Sequence, residues 1–155
     1  MSESLADIVR NLKDDIALFQ KLDDHEVEHI IPYLQLARYE KGDVLFNEGE
    51  SGDFVGFIAE GALEVKKQTD YKDKKIVIAL LNKGSFVGEM SLVDEKQRSA
   101  TVVAVEPTEI VIFKNESLDS LVNGHPQIAI KILKGLNKVL AVRLRKAIER
   151  LTFVF

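Results

Sequence analysis

Apolar positions in the first 37 residues recur with helical spacing. Between residues 4 and 20 they follow one face of an α-helix, at Leu5, Ile8, Val9, Leu12, Ile16 and Phe19. Asp23 or Asp24 suits the start of a second helix, because Glu26 stands three positions after Asp23 as in a capping box. Pro32 can end that helix, whose apolar stripe consists of Val27, Ile30, Ile31 and Leu34. The pattern predicts two amphipathic helices that cover one side of the protein.

From residue 38 to residue 114 the pattern changes to short runs of β-branched and aromatic residues separated by glycine-containing turns. The predicted strands are residues 44–46, 54–59, 62–67, 76–81, 99–105 and 109–113. Many short strands joined by tight turns favour an antiparallel β jelly roll (double-stranded β-helix) over a parallel sheet. We therefore expect an α+β fold in which N-terminal helices and a long C-terminal helix flank the jelly roll.

The C-terminal segment predicts a short helix followed by a long one. Asn115 or Ser117 can cap the short helix, Gly124 can end it, and Pro126 suits the first turn of a helix that continues to about residue 151. The long helix has apolar residues on two faces: Ile128, Ile132, Leu136 and Val139 on one, and Leu133, Leu140, Leu144, Ala147 and Leu151 on the other. One face suffices for packing on the domain, so the second predicts a homodimer through this helix. Phe153 and Phe155 should pack there or on the domain.

Length and composition indicate one domain. The chain has 155 residues, of which 46% are hydrophobic, and we divide it into a helical preface (1–37), a jelly roll (38–114) and C-terminal helices (115–155). The absence of cysteine excludes disulfides, thiolate metal sites and cysteine nucleophiles. Neither a leader-like N-terminus nor an apolar run of bilayer length is present, which predicts a soluble cytoplasmic protein with no membrane partner.

Charge is unevenly distributed along the chain. Residues 126–155 contain seven Lys or Arg and one acidic residue. The remaining residues therefore carry a net charge of −10, because the total is −4. A basic helix can bind nucleic acid, but such a helix is more often simply a solvated face. We expect no DNA partner.

The sequence His25-Glu26-Val27-Glu28-His29 matches the H-E-x-x-H pattern of zinc proteases. A catalytic zinc ion also requires a third protein ligand and a substrate cleft beside the glutamate. The one other histidine, His125, is far along the chain, and His25 and His29 should face solvent. We interpret the match as a chance pattern on a polar helix face, and expect no catalytic residues, no metal site and no cofactor.

The stretch from residue 86 to residue 104 has the chemistry to bind a sugar phosphate. Gly88 admits a ligand close to the backbone, and free N–H groups at the start of a short helical turn attract anions. Arg98 can donate two hydrogen bonds to a phosphate, whereas the carboxylate of Glu89 can accept them from sugar hydroxyl groups. Alternatively, the two charged side chains pair with each other or with solvent, which contributes little energy.

The run Phe86-Val-Gly-Glu-Met-Ser-Leu, followed by Arg98-Ser-Ala-Thr, resembles the phosphate-binding cassette of the cyclic nucleotide-binding domain family. We assign the cassette to residues 86–101. In that family the glutamate holds the ribose 2′-hydroxyl and the arginine pairs with the cyclic phosphate, which implies these roles for Glu89 and Arg98. The residues to which the resemblance assigns backbone or hydroxyl contacts are Gly88, Met90, Ser99 and Ala100. Ser91 stands where the family more often has alanine, and we include it because a small hydroxyl should fit.

The same resemblance implies a regulatory module rather than an enzyme. In relatives the C-terminal helix contacts the nucleotide base. Aligning the helix by its sequence motif assigns this contact to Ala147, whereas counting residues from Pro126 assigns it to Arg143. Both assignments stay open. The tripeptide Arg98-Ser99-Ala100 favours cyclic AMP as the ligand, with cyclic GMP as the alternative.

The implied mechanism is a shift of the C-terminal helix that an effector protein senses. Because the sequence ends at Phe155 without a helix-turn-helix, we expect no binding to operator DNA. The alternative function is a ligand-free dimeric interaction or scaffold domain that keeps the fold.

Overall fold

Two antiparallel four-stranded sheets form the middle of the chain. The structure, a computed structural model, describes residues 4–71, 74–89 and 97–154, without the side chains of residues 152–154. The strands in these ranges are β1 (Leu34–Tyr39), β2 (Val44–Phe46), β3 (Phe54–Glu60), β4 (Ala62–Gln68), β5 (Lys75–Asn82), β6 (Phe86–Val87), β7 (Thr101–Ala104) and β8 (Thr108–Lys114). One sheet has the order β1-β8-β3-β6 and the other β2-β7-β4-β5. The predicted α+β jelly roll is confirmed.

Helices precede and follow the strands along the chain. The α-helices in the described residues are α1 (Leu5–Leu12), α2 (Asp24–Ile30), α3 (Asn115–Gly124) and α4 (Pro126–Val154), and a 3-10 turn covers Ile31–Tyr33. The predicted capping box of α2 is present: Asp23 Oδ1 accepts from Glu26 N at 2.8 Å, and Glu26 Oε1 accepts from Asp23 N at 3.0 Å. Helix α4 has 29 residues, which corresponds to a length of about 43 Å.

Three local predictions were wrong. Helix α1 ends at Leu12, and residues 13–20 continue as turns, because Asp14 and Asp15 are weak helix formers. The segment Leu34–Tyr39 is strand β1 rather than the end of the helical preface, since Pro32 breaks the helix before it. The residue that caps α3 is Lys114, without a side-chain cap bond, and Asn115 is the first helical residue.

The main apolar cluster joins the helices to the sheet that contains β3 and β8. The Phe19 ring packs against those of Phe57 and Phe113, with centroid distances of 5.2 and 6.4 Å. The buried face of α4 consists of Ile128, Ala129, Ile132 and Leu136, so one of the two predicted apolar faces packs on the domain. Past Leu140 the described residues of α4 are exposed. This half of α4 extends past β6, where the cassette begins.

Candidate functional site

A glycine turn begins the candidate site. Strand β6 pairs with β3, with Phe57 opposite Phe86, and the chain leaves β6 at Gly88 with φ +82°. A Cβ atom at this position would collide with Nη1 of Arg98 and would lie 2.9 Å from the carbonyl oxygen of Phe54. Only glycine combines this backbone conformation with such a close approach. The turn brings the backbone of Gly88 against the guanidinium of Arg98, and Glu89 is the next residue along the chain.

The backbone of Arg98 is fixed by the loop that follows β2. Its N–H donates to Glu50 O at 2.7 Å, and its carbonyl accepts from Gly49 N at 2.9 Å. These bonds join the segment before β7 to the loop after β2. The backbone position of Arg98 is therefore fixed independently of its long side chain. A site built this way is preorganised for a ligand.

The guanidinium of Arg98 is buried between two aromatic rings. Only 3% of the residue is exposed, and Cζ lies 4.0 Å from the centroid of Phe46 and 4.6 Å from that of Phe54. Its Nη2 donates to Phe54 O at 2.8 Å, and its Nη1 donates to Gly88 O at 3.3 Å. The two rings fix the orientation of the guanidinium plane. The two carbonyl oxygens accept hydrogen bonds from Nη1 and Nη2.

The charge of this buried arginine is not neutralised by a direct ion pair within the described part of the chain. Its Nε is buried and has no hydrogen-bond partner there. Burial lowers the pKa of the Arg98 guanidinium from its ordinary value, and Asp53 and Glu50 oppose that shift. Because an arginine stays protonated, the site retains a desolvated cation with an unused donor. Such a group suits an anion that accepts several hydrogen bonds, such as a phosphate.

Glu89 connects the cassette to the C-terminal helix. It is buried, with 5% of the residue exposed, and its Oε1 forms an ion pair with Nη1 of Arg143 on α4. Nη2 of Arg143 donates to Phe86 O at 3.4 Å, and its Cζ lies 4.6 Å from the Phe86 ring centroid. Burial lowers the pKa of Arg143. Among the described residues Glu89 thus pairs with Arg143 on α4 and not with Arg98. Both Glu89 and Arg98 are buried.

The other predicted site residues do not share the contacts of Arg98 and Glu89 described above. Ser99 is exposed, and its carbonyl accepts from Lys67 Nζ at 2.6 Å. Ala100 is buried, and Ala147 is exposed one helical turn beyond Arg143. The predicted residues Met90 and Ser91 lie outside the described residues. Among the predicted site residues that the structure describes, Gly88 and Arg98 are in contact, and Glu89 and Arg143 are paired.

Three aromatic residues of the site were not predicted from the sequence. Phe46 and Phe54 enclose Arg98, and Phe86 lies under Arg143. Each stands at an apolar strand position, which is typical of a core residue. The spacing therefore gave no signal that these rings contact charged groups.

Residues 36–125 match the family described as the cyclic nucleotide-binding domain. The cyclic AMP receptor protein of Thermus thermophilus is 35% identical over 130 residues, which are 84% of this chain and 58% of that protein. The cGMP-dependent protein kinase 2 of Homo sapiens is 33% identical over 127 residues, 81% of this chain and 16% of the kinase. This chain thus corresponds to a part of each relative's length.

Solved structures agree with the sequence match. The catabolite activator protein of Thermus thermophilus superimposes with a TM-score of 0.78 at 33% identity, covering 89% of this chain and 62% of that one. A cyclic nucleotide-binding domain from Methylobacillus flagellatus gives 0.84 at 27% identity, with 97% and 84% covered. In the described residues, no helix has the length and apolarity needed to cross a membrane. With its jelly roll, its cassette turn and its buried arginine, the chain belongs to the cyclic nucleotide-binding domain family.

Proposed function

We propose that the chain is a cytoplasmic regulatory sensor that binds cyclic AMP, in preference to cyclic GMP, between Arg98 and Glu89. The observation that carries the proposal is the buried guanidinium of Arg98, whose Nε has no partner among the described residues. A cyclic phosphate carries one negative charge and free oxygens, so it neutralises this cation and accepts the unused hydrogen bond. Domains of this family are binding modules, and no catalytic step is proposed.

The remaining parts of the nucleotide are assigned by chemistry. The carboxylate of Glu89 accepts a hydrogen bond from the ribose 2′-hydroxyl, and the turn at Gly88 lets the phosphate approach the backbone. The preference for cyclic AMP rests on the tripeptide Arg98-Ser99-Ala100. One relative is named a cyclic AMP receptor and another a cGMP-dependent kinase, so both nucleotides belong in the test.

The ion pair between Glu89 and Arg143 supports a mechanism for signalling. The pair attaches α4 to the cassette. A ribose hydroxyl that binds Glu89 competes with Arg143, and so favours a conformation in which this part of α4 shifts. Helix α4 packs on the core as far as Leu140, whereas its described continuation past that residue is exposed and can change position. Nucleotide then shifts a population of helix positions, which an effector protein senses.

The second apolar face of α4 supports a homodimer. Its residues are Leu133, Leu140, Leu144, Ala147 and Leu151. Together with Ile130 and Asn137 they form a heptad pattern, with alternating spacings of three and four residues. Leu144 and Leu151 are 62% and 59% exposed in one chain. A partner helix would cover them, and Asn137 at a core position of the heptad would fix the register by pairing with its equivalent.

The binding proposal is tested by calorimetric titration with cyclic AMP and with cyclic GMP. Wild-type protein, Arg98→Ala and Arg98→Lys are compared, with Arg145→Ala on the exposed part of α4 as the control. Removal of a buried charge partner costs about 2 kcal/mol or more, so we expect Arg98→Ala to weaken binding at least roughly 30-fold. Lysine keeps the charge but loses the planar fork, and should be intermediate.

Circular dichroism checks that each variant is folded. Wild-type binding of neither nucleotide at millimolar concentration would contradict the sensor and favour the scaffold alternative. The dimer is tested separately by analytical ultracentrifugation. Leu144→Glu should give a folded monomer, whereas Lys146→Glu, two positions along and off the heptad seam, should remain dimeric. A dimer that survives Leu144→Glu would show that the interface lies elsewhere.

A further inference from the structure

All three histidines of the chain converge in one cleft that the nucleotide site does not use. His25 and His29 lie on α2, and His125 is the residue between α3 and α4. Together with Glu26 and the first residues of α4 they line a cavity of about 370 Å³. Its lining includes none of the cassette residues. His125 is distant from the H-E-x-x-H residues along the chain, and the fold brings it into the same cleft as His25 and His29.

The rings of these histidines have spacings close to those of metal ligands. Nε2 of His25 lies 3.1 Å from Nε2 of His29. The ring centroids are 4.6 Å apart for His25 and His29, and 5.1 Å apart for His29 and His125. Zinc–nitrogen bonds of about 2.0–2.1 Å in a tetrahedron separate two ligand nitrogens by about 3.3 Å, and their ring centres by about 5 Å. Two nitrogens are therefore nearly in place.

The charged side chains near the histidines are paired, so they do not repel a cation from the cleft. Lys131 on α4 forms an ion pair with Glu26 at 2.5 Å, and Arg10 forms one with Glu28 at 2.5 Å. The nearby positive side chains thus have carboxylate partners. Glu26 additionally accepts from the N–H of Asp23 in the capping box. Both contacts fall on Oε1 of Glu26, so this carboxylate is held at the edge of the cleft by the capping box and by α4.

We propose that His25, His29 and His125 bind a first-row transition-metal ion such as Zn²⁺. Imidazole nitrogen is a preferred ligand for these ions, and three protein ligands with water at the fourth position complete a tetrahedron. Within the described residues no three such side chains are already arranged around one ion position. The ring of His125 must therefore rotate toward the other two when the ion binds.

The position of His125 gives the ion a structural effect. The His125 N–H donates to Leu121 O at 2.7 Å, and its carbonyl accepts from Ile128 N and Ala129 N, each at 3.1 Å. It is therefore the joint through which α3 continues into α4. An ion bound there ties α2 to the start of α4 and stabilises the folded state, because the unfolded chain has no such site.

The experiment is calorimetric titration of the untagged full chain with ZnCl₂, after removal of metal with a chelator. We expect one Zn²⁺ per chain in wild type. His29→Gln, which removes the central ligand, should weaken binding about 100-fold, and His125→Gln about tenfold or more. The histidine side chains lie at or near the surface, so the variants should fold, which thermal melting in chelator checks.

The His125→Gln variant separates the proposal from its simplest competitor. A pair of histidines one helical turn apart can chelate a metal without any third ligand. Unchanged affinity in His125→Gln would therefore overturn the three-histidine site, as would the absence of Zn²⁺ binding to wild type. Co²⁺ provides a second readout: the intense visible absorption of a tetrahedral site is expected, and a weak octahedral spectrum would contradict the proposed geometry.

Discussion

The ion pair between Arg143 and Glu89 predicts that a variant lacking it binds nucleotide more tightly. In Arg143→Met an unbranched apolar side chain remains, but the guanidinium that lies over Phe86 and pairs with Glu89 is lost. The side chain of Glu89 is 7% exposed and that of Arg143 is 43% exposed. A pair with one buried partner lies between the weak surface pairs and the strong buried ones, so we take its contribution as about 1–2 kcal/mol.

A nucleotide whose ribose displaces Arg143 from Glu89 breaks this pair. Without Arg143 that cost disappears, and about 1–2 kcal/mol corresponds to an increase in cyclic AMP affinity of roughly 5- to 30-fold. The free protein should also become less stable, because Glu89 is left buried without its partner. Protein saturated with nucleotide should lose less stability, since the ribose then satisfies Glu89.

Calorimetric titration and thermal melting with and without cyclic AMP measure both effects. Arg145→Met is the matched control, because Arg145 is exposed two positions further along the same helix. A fivefold or greater loss of affinity in Arg143→Met would refute the competition, and would indicate that Arg143 holds the nucleotide instead. Equal affinity would show that the pair and the site are not coupled.

Three further predictions concern backbone contacts and the ribose. Gly88→Ala should reduce cyclic AMP affinity by about tenfold or more in calorimetry, because the new Cβ would displace the Arg98 guanidinium; unchanged affinity would contradict this. A Cβ at Gly135 would lie 2.7 Å from Ala17 O, so Gly135→Ala should destabilise the protein in urea by about 1–2 kcal/mol, despite alanine's higher helix propensity. A gain in stability would refute that packing. Glu89→Gln should reduce the preference for cyclic AMP over 2′-deoxy cyclic AMP severalfold, because only cyclic AMP offers Glu89 a 2′-hydroxyl; an unchanged preference would exclude that role.

Features that depend on a single residue type at a fixed position could be predicted from the sequence. The capping box of Asp23 and Glu26, the turn at Gly88 and the start of the final helix at Pro126 are of this kind. Strand β1 was missed because its few residues after Pro32 also continue the apolar stripe of the preceding helix. Short apolar runs do not distinguish strand from helix, and the pairing of β1 with β8 decides the outcome.

Contacts between distant segments could not be obtained from the sequence alone. The family resemblance identified Arg98 and Glu89, but not that Arg143 pairs with Glu89 or that Phe46 and Phe54 enclose Arg98. These contacts depend on where α4 crosses β6 and on the loop that holds Arg98. The convergence of His125 with the histidines of α2 is likewise a product of tertiary packing.

A crystal structure of the protein with bound cyclic AMP tests the central claim most directly. We expect a cyclic phosphate oxygen within about 3.2 Å of Nε of Arg98 and the ribose 2′-hydroxyl on Glu89. We also expect that Arg143 has left Glu89 and that the exposed half of α4 has moved. A nucleotide bound elsewhere, or a phosphate that leaves the Nε of Arg98 without a partner, would contradict it.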